Sequence, residues 1–265
     1  MASLKTTHHW CVAASDPKLE ASSPRGWTWR RSWRASWSPM GSARLRRVAC
    51  SSLPRWKGTG RIPYHPRHGE VADRVERAVR SSEPIAVFGD FDVDGITSTC
   101  LLTEALRALG ARVQPFIPHR FDEGYGLTCQ ALDRVIEACS PSLVITVDNG
   151  IAARDEVGYL TERGIDIVVT DHHEPADLVP QGIPVTDPKI DGRGPSRELA
   201  GVGVALKLVQ VLGSRLGMPE LWRSFTEVAA LGTVSDMMLL TPENRALVAD
   251  GIAHMRTTTR PGYVA

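Results

Sequence analysis

Three aspartates stand at alternate positions directly after a short apolar run. Residues 85–88 are Ile, Ala, Val and Phe, and they are followed by Asp90, Asp92 and Asp94. In an extended segment alternate side chains point the same way, roughly 7 Å apart, so we expect the three carboxylates to converge at a strand end. Carboxylates held so close repel one another unless a cation lies between them. The pattern therefore predicts a metal site, with an acidic turn of the kind that Asp and Gly favour as the alternative.

Two further apolar runs end in groups that bind metals or move protons. Residues 143–147 lead into Asp148, and residues 165–170 lead into Asp171, His172 and His173. The carboxyl ends of parallel strands meet at one edge of a sheet, so these groups can gather across long sequence gaps. A fourth strand end, at Asp187 before Pro188, is interpreted as a turn former.

Carboxylates combined with neutral imidazole suit Mn²⁺, with Mg²⁺ and Zn²⁺ as alternatives. There are more acidic groups than one octahedral ion needs, which favours two ions about 3.5–4 Å apart that share a carboxylate and a water. Such a site would acidify the water and steady charge on a phosphoryl oxygen, which is hydrolytic phosphoryl chemistry. Adjacent side chains diverge, so we expect one of His172 and His173 to be a ligand and the other to face substrate. Asp171 is predicted to orient an imidazole from behind.

The elements that would position these groups alternate between strands and helices. Strands are predicted at residues 85–88, 112–117, 143–147, 165–170 and 183–186, with helices near residues 71–79, 97–109, 132–136, 153–163, 206–216 and 221–231. The helix that follows Asp94 is expected to be capped by Thr97 or Ser98. Short links between alternating elements are typical of an α/β fold with a doubly wound, mainly parallel sheet and helices on both faces.

The charge is divided sharply along the chain, although the formal net charge is only +1. Residues 1–62 carry 12 Lys and Arg and two acidic residues, whereas the remainder carries 19 and 28. Six of the seven tryptophans also lie in this first segment, without helical or strand periodicity. It is compatible with a nucleic-acid-binding tail, an organellar transit peptide or a reading-frame error upstream of an authentic domain. We interpret it as irregular sequence of the last kind and assign it no function.

Cysteine usage indicates a reducing compartment. The five cysteines show no CxxC pair, and Cys100, Cys129 and Cys139 lie in apolar helical patterns, where buried free thiols are expected. Neither a signal peptide nor a membrane-spanning run is evident in the sequence. We expect a cytoplasmic protein.

Four motifs occur in the order GDFDVDG (89–95), VDNG (147–150), TDHHEP (170–175) and GTVSDM (232–237). Together they resemble the DHH phosphoesterase superfamily and, within it, the RecJ-like exonucleases. PHRFDEGYGL (118–127) and LAGVGVALKLVQ (199–210) are similar to further blocks of that family. The resemblance covers residues 70–255.

The resemblance implies a DHH domain that binds two divalent ions, Mn²⁺ by preference and Mg²⁺ as a second possibility. It implies a 5′→3′ exonuclease that hydrolyses single-stranded DNA to 5′-mononucleotides in DNA repair and recombination, with single-strand-binding protein and a helicase as candidate partners. Carried onto this sequence, the metal ligands are Asp90, Asp92, Asp94, Asp148, His172 and Asp236. Catalytic roles fall to Asp92, Asp148 and His173, and substrate contacts to Arg120, Glu123 and His173. Asp236 is identified as a metal ligand by the resemblance alone, since no pattern in the sequence indicates it.

The chain departs from the family in its outer parts. The family continues from its DHH domain into a second, substrate-binding domain called DHHA1, and we expect residues 256–265 to be a truncated tail without it. Two rival functions stay open. One is a small-substrate phosphohydrolase acting on oligonucleotides, cyclic dinucleotides or pyrophosphate. The other is a non-catalytic scaffold that keeps the DHH fold.

Overall fold

A computed structural model describes residues 66–124, 126–175, 177–190 and 195–264. The predicted irregular segment, residues 1–62, lies outside the described residues. The helices and strands, in chain order, are α1 Pro66–Arg80, β1 Pro84–Phe88, α2 Val93–Ala108, β2 Arg112–Phe116, α3 Cys129–Cys139, β3 Leu143–Val147, α4 Arg154–Thr161, β4 Asp166–Thr170, β5 Val185–Thr186, α5 Gly201–Arg215, α6 Thr226–Ser235, α7 Pro242–Met255 and α8 Pro261–Val264. Among the described helices, none is long and apolar enough to cross a bilayer.

The five strands form one parallel sheet in the order β2-β1-β3-β4-β5. Strands β1 and β3 are buried along nearly their whole length, as expected of strands covered on both faces. The chain moves outward from β1 in one direction to reach β2 and in the other to reach β3. The predicted doubly wound parallel fold is therefore confirmed, and the reversal point lies beside β1, where such sheets bind ligands.

Helices cover both faces of the sheet and form two cores. One core packs α1, α2, α5 and α6 against side chains such as Ile85, Val87 and Ile145. The other packs α3 and α4 against the alternate side chains of the same strands, among them Ala86, Phe88 and Val144. This alternation follows from the two-residue period of a strand, which sends successive side chains to opposite faces.

At the amino-terminal edge of the sheet, a buried arginine ties α1 to two strands. Arg74 Nη2 lies 2.7 Å from Glu83 Oε2, just before β1, and Arg74 Nε lies 2.6 Å from Asp166 Oδ2, at the start of β4. Arg74 is 8% exposed, so its charge needs these partners to be tolerated at this depth.

Several predicted boundaries are wrong. Helix α2 begins at Val93 with Asp92 as its N-cap, so neither Thr97 nor Ser98 caps it, and both lie inside the helix. Strand β5 contains only Val185 and Thr186, and the helix predicted at 221–231 is a 3₁₀ turn, Leu221–Phe225, followed by α6.

The prediction of buried thiols is also wrong. Cys100 and Cys129 are exposed and Cys139 is half-buried, although all three are free. Cys100 and Cys129 lie on the outer faces of their helices, whereas Cys139 packs against the edge of the core.

Candidate metal centre

The three aspartates after β1 do not share one extended segment. The chain turns into α2 immediately, and exposed Asp92 caps that helix by accepting a hydrogen bond from Gly95 N at 2.8 Å. Asp94 lies in the first turn of α2 and is buried, and Asp90 is buried with its Oδ1 2.7 Å from Phe91 N. The expected extended segment is wrong, because the helix begins at Val93, between Asp92 and Asp94.

Asp94 is held by the amino terminus of α5. Its Oδ2 accepts a hydrogen bond from Gly201 N at 2.7 Å, and its Oδ1 accepts one from Val202 N at 3.0 Å. Helix α5 has no side-chain cap of its own, so this carboxylate satisfies amide groups that would otherwise lack partners. The positive end of the helix dipole favours the ionised form of Asp94.

Asp148 follows β3 in a left-handed backbone conformation, with φ of 61°. Such a conformation is uncommon outside glycine, though Asn and Asp adopt it most readily. Its amide donates to Thr170 O at 3.0 Å, which anchors the turn to β4. Its carboxylate lies against Gly201, where an added Cβ would be 2.6 Å from Asp148 Oδ1. Glycine is therefore required at 201 for this carboxylate to occupy its place.

His172 joins the separate segments. Its Nε2 lies 3.0 Å from Asp148 Oδ1, 3.6 Å from Asp94 Oδ2 and 3.7 Å from Asp236 Oδ2. Asp236 is the C-cap residue of α6, and its side chain is 29% exposed. Among the described residues, two groups have ligand atoms close enough to share an ion. One contains Asp94, His172 and Asp236, and the other contains Asp148, His172 and His173.

His173 does not diverge from His172 as expected, because the two ring centroids are 4.5 Å apart. It is held by Asp171. Its Nδ1 lies 2.7 Å from Asp171 Oδ1, and its side chain is 46% exposed. Buried Asp171 also accepts hydrogen bonds from the amides of Ile151 and His172. Asp171 therefore contacts the ring of His173 directly, and its orienting role stays a prediction. The hydrogen bond to Asp171 raises the pKa of His173 to about 9, so this imidazole is a cation at neutral pH.

The carboxylates of the centre repel one another, and the imidazoles of His172 and His173 offset this repulsion only in part. Burial, followed by repulsion from Asp148, raises the pKa of Asp94 to about 7. Burial, followed by repulsion from Asp92, raises the pKa of Asp148 to about 8. Asp94, Asp148 and Asp236 have no ion pair with Lys or Arg in the described part of the chain. A divalent cation among these oxygens and Nε2 of His172 would relieve the repulsion, so the donor set fits such an ion.

Of the six ligands that the sequence indicated, four meet in the structure and two lie apart from the two groups. Asp94, Asp148, His172 and Asp236 come together, whereas Asp90 and Asp92 lie outside both groups. Asp92 is still near enough for its charge to raise the pKa of Asp148.

The two other predicted contacts lie on the loop after β2. Exposed Arg120 lies with its guanidinium carbon 4.7 Å from the centroid of the Phe91 ring, beside the aspartates. Glu123 is occupied within the loop, because it accepts hydrogen bonds from Arg134 Nε at 2.8 Å and His119 N at 2.7 Å. The hydrogen bond from Arg134 lowers the pKa of Glu123. Glu123 thus shapes the loop that carries Arg120.

Sequence reasoning passed over two features of this edge. Gly232 packs beside the site, and a Cβ there would lie 2.8 Å from Asp94 Oδ1. Asp187, interpreted as a turn former, does accept a hydrogen bond from Lys189 N at 2.7 Å, but it is completely buried. The sequence signal for Asp187 was an Asp at a strand end before Pro. A residue that forms a turn gives the same pattern, so the sequence did not indicate burial.

Comparison with known proteins places the chain in a family. Residues 84–233 match the model of the DHH family, N-terminal domain. The single-stranded-DNA-specific exonuclease RecJ of Bacillus subtilis is 43% identical over 194 residues, which cover 73% of this chain and 24% of the relative. The chain spans about a quarter of the length of this relative, and 38% of the corresponding Escherichia coli protein.

Solved structures agree. A crystal structure of exonuclease RecJ bound to manganese matches with a TM-score of 0.69 and 37% identity, over 76% of this chain and 51% of that one. RecJ of Thermus thermophilus in complex with Mg²⁺ matches with a TM-score of 0.54 and 29% identity, over 76% and 25% of the two chains. The region that matches the family model, residues 84–233, includes every residue of the two candidate metal groups except Asp236. Asp236 lies three residues beyond the end of that region. The chain belongs to the DHH family.

Proposed function

We propose that this chain contains the catalytic domain of a two-metal-ion phosphodiesterase that hydrolyses single-stranded DNA from the 5′ end to 5′-mononucleotides. The observation that carries the proposal is the meeting of Asp94, Asp148 and Asp236 around Nε2 of His172. Relatives at 36–43% identity are named single-stranded-DNA-specific exonucleases, which supports the choice of substrate. We place the domain at residues 70–255.

Asp94, Asp148, His172 and Asp236 would hold the ions, with Asp92 and Asp90 completing the set. Mn²⁺ is the preferred ion and Mg²⁺ the alternative, in line with the manganese and magnesium complexes of RecJ. Bound there, the ions would supply Lewis acidity to the attacking water and to the phosphoryl oxygens. The family resemblance makes Asp148 the candidate ligand shared by the two ions, and its Oδ1 lies 3.0 Å from Nε2 of His172.

The remaining residues bind and orient the substrate. His173 is cationic and partly exposed, so it can contact the scissile phosphate and donate a proton from Nε2 to the leaving oxygen. Asp171 keeps that ring in place through Nδ1. Arg120 supplies a guanidinium for a backbone phosphate, and Glu123 fixes the loop that presents it.

The cellular role, location and partners of the protein are proposed from its similarity to the family. We propose a role in DNA repair and recombination in the cytoplasm, with single-strand-binding protein and a helicase as partners. These assignments depend on the whole-protein relatives, of which this chain spans a minor part.

The test is hydrolysis of 5′-labelled and 3′-labelled single strands with Mn²⁺. The expected result is release of 5′-mononucleotides from the 5′ end by the wild-type chain. Asp148→Ala should lose the activity, with a rate lower by at least about 10²–10³-fold. Wild-type rates in Asp148→Ala would contradict the proposal. Faster cleavage of dinucleotides than of long strands would favour the small-substrate phosphohydrolase, and metal binding without turnover would favour the scaffold.

A further inference from the structure

Asp187 is a completely buried carboxyl group whose second oxygen is unexplained. It directly follows β5, and its Oδ1 accepts a hydrogen bond from Lys189 N at 2.7 Å. Its Oδ2 is buried as well and, within the described part of the chain, has no hydrogen-bond partner. Leaving a buried acceptor unsatisfied costs about 1–3 kcal/mol, so such atoms usually have a function or a partner that binds later.

His172 has a matching unsatisfied atom. Its Nε2 faces the three carboxylates of the metal centre, while its Nδ1 is buried without a hydrogen-bond partner among the described residues. A histidine that binds a metal through Nε2 carries its proton on Nδ1, and that N–H normally donates to a carboxylate, a carbonyl or a water. The three carboxylates of the centre do not supply that acceptor, because they lie around Nε2.

The two atoms belong to adjoining strand ends. Thr170 of β4 pairs with Thr186 of β5, and the amide of Asp171 donates to Thr186 O at 3.0 Å. His172 and Asp187 therefore follow neighbouring strands closely. Burial raises the pKa of Asp187 to about 6, and His172 lies close enough to act against that rise.

Other carboxylates near His172 are already committed. Asp94, Asp148 and Asp236 lie on the Nε2 side. Asp171 is bonded to the ring of His173 and to the amides of Ile151 and His172. Asp187, on the adjoining strand end, offers a buried Oδ2 that has no hydrogen-bond partner among the described residues.

We propose that Asp187 is a positioning residue of the metal centre, whose Oδ2 accepts the Nδ1–H of His172 across one water. The bond would keep the proton on Nδ1 and leave the lone pair of Nε2 for a divalent ion. Asp187 touches neither ion nor substrate, so its role is exerted through His172. The inference depends on one part of the proposed function, which is that His172 binds a metal ion; it does not depend on the hydrolysis of DNA.

The test compares three substitutions in the full chain. Asp187→Asn keeps an oxygen acceptor at the same reach. Asp187→Ser keeps an acceptor for the Lys189 amide, as Ser does in turns, but is too short to serve His172. Asp177→Ser makes the same change at an exposed position of the loop between β4 and β5 and is the matched control.

Two measurements separate positioning from structure. Mn²⁺ affinity, from titration followed by electron paramagnetic resonance, should fall about 10–100-fold in Asp187→Ser and change little in Asp187→Asn and Asp177→Ser. In the Mg²⁺-loaded protein with ¹⁵N-histidine, the Nδ1–H signal of His172 should persist in wild type and Asp187→Asn and disappear in Asp187→Ser.

Unchanged Mn²⁺ affinity in a folded Asp187→Ser variant, or an unchanged Nδ1–H signal, would overturn the inference. If Asp187→Ser does not fold, the wild-type spectrum decides, since absence of a protected Nδ1–H on His172 equally overturns it. These results do not depend on turnover. A metal-loaded wild type that hydrolyses no phosphodiester would contradict the proposed function while leaving the positioning role intact.

Discussion

The two edges of the sheet both collect buried charge, and they treat it in opposite ways. At the amino-terminal edge, Arg74 is matched by Glu83 and Asp166 within 2.7 Å. At the carboxyl-terminal edge, Asp94, Asp148 and Asp236 lie around Nε2 of His172, with His173 beside Asp148. No Lys or Arg of the described residues pairs with these carboxylates. At the first edge the buried cation is paired with carboxylates, which stabilises the fold. The second edge lacks such a pairing and is suited to bind an ion.

The largest effect is expected from filling the space beside Asp148. In Gly201→Ala the new Cβ would lie 2.6 Å from Asp148 Oδ1 and 2.7 Å from its Cβ, so the carboxylate must move. We expect the Mn²⁺-dependent rate on single-stranded DNA to fall by about 10²–10³-fold. Gly158→Ala, at an exposed site in α4 with open space around it, is the control and should keep full activity. Equal rates for the two variants would show that the position of Asp148 is not critical.

Metal binding should stabilise the protein through the carboxyl-terminal edge alone. At a Mn²⁺ concentration about 100 times Kd, the free energy of unfolding should rise by about 2.7 kcal/mol. Asp148→Asn should lose most of this gain and, in EDTA at a pH above about 8 where Asp148 is ionised, be more stable than wild type because one repelling charge is removed. Urea denaturation with and without Mn²⁺ measures both. A full metal-induced gain in Asp148→Asn would remove Asp148 from the ligand set.

A substitution at the amino-terminal edge should change the free energy of unfolding but not the rate of hydrolysis. Arg74→Met removes two charged hydrogen bonds, one of them to the largely exposed Asp166, and should lower the free energy of unfolding by about 1–3 kcal/mol. Its Mn²⁺-dependent rate should match wild type at temperatures where the variant is folded. Arg80→Met, which breaks an exposed i,i+4 pair with Glu76, should cost less than about 0.5 kcal/mol. A strong loss of rate in Arg74→Met would mean that the edges are coupled.

A smaller effect is expected with pH. The pKa values of Asp94 and Asp148 are raised by folding to about 7 and about 8, so their protonated forms stabilise the metal-free fold and that contribution is lost as pH rises through those values. His173, with its pKa raised to about 9, acts in the same direction. In EDTA the free energy of unfolding should therefore fall between pH 6 and pH 8, by no more than about 1.4 kcal/mol per pH unit and proton.

Saturating Mn²⁺ should flatten this pH dependence, because the ion needs the same carboxylates deprotonated. Arg74→Met should retain the wild-type slope in EDTA, since it leaves the carboxyl-terminal edge untouched. A slope of opposite sign in the metal-free wild type would contradict the raised pKa values.

Much of the fold could be predicted from local pattern. The apolar runs at β1, β3 and β4 predicted strands, and the acids after them predicted a shared edge, because parallel strands place their carboxyl ends together. The start of α2 was predicted wrongly because several residues in this segment could cap a helix. Asp92 is the cap, ahead of Thr97 and Ser98, so the helix begins within the predicted row of aspartates.

The parts of the site that escaped prediction depend on long-range packing. Asp236 has no local pattern that marks it, and only the family resemblance reached it. Gly201 and Gly232 are needed because distant carboxylates press against them, which no neighbouring residue reveals. Asp187 resembled an ordinary turn because its burial comes from the sheet and not from its own segment.

The ligands of the candidate centre come from the start of α2, the ends of β3 and β4, and the end of α6. A ribosome adding 5–20 residues per second needs on the order of ten seconds to pass from Asp94 to Asp236. Until α6 has emerged and docked, the nascent polypeptide lacks the complete ligand set of the candidate metal centre. If the domain has the proposed nuclease activity, it would therefore hydrolyse no nucleic acid during that interval of its own synthesis.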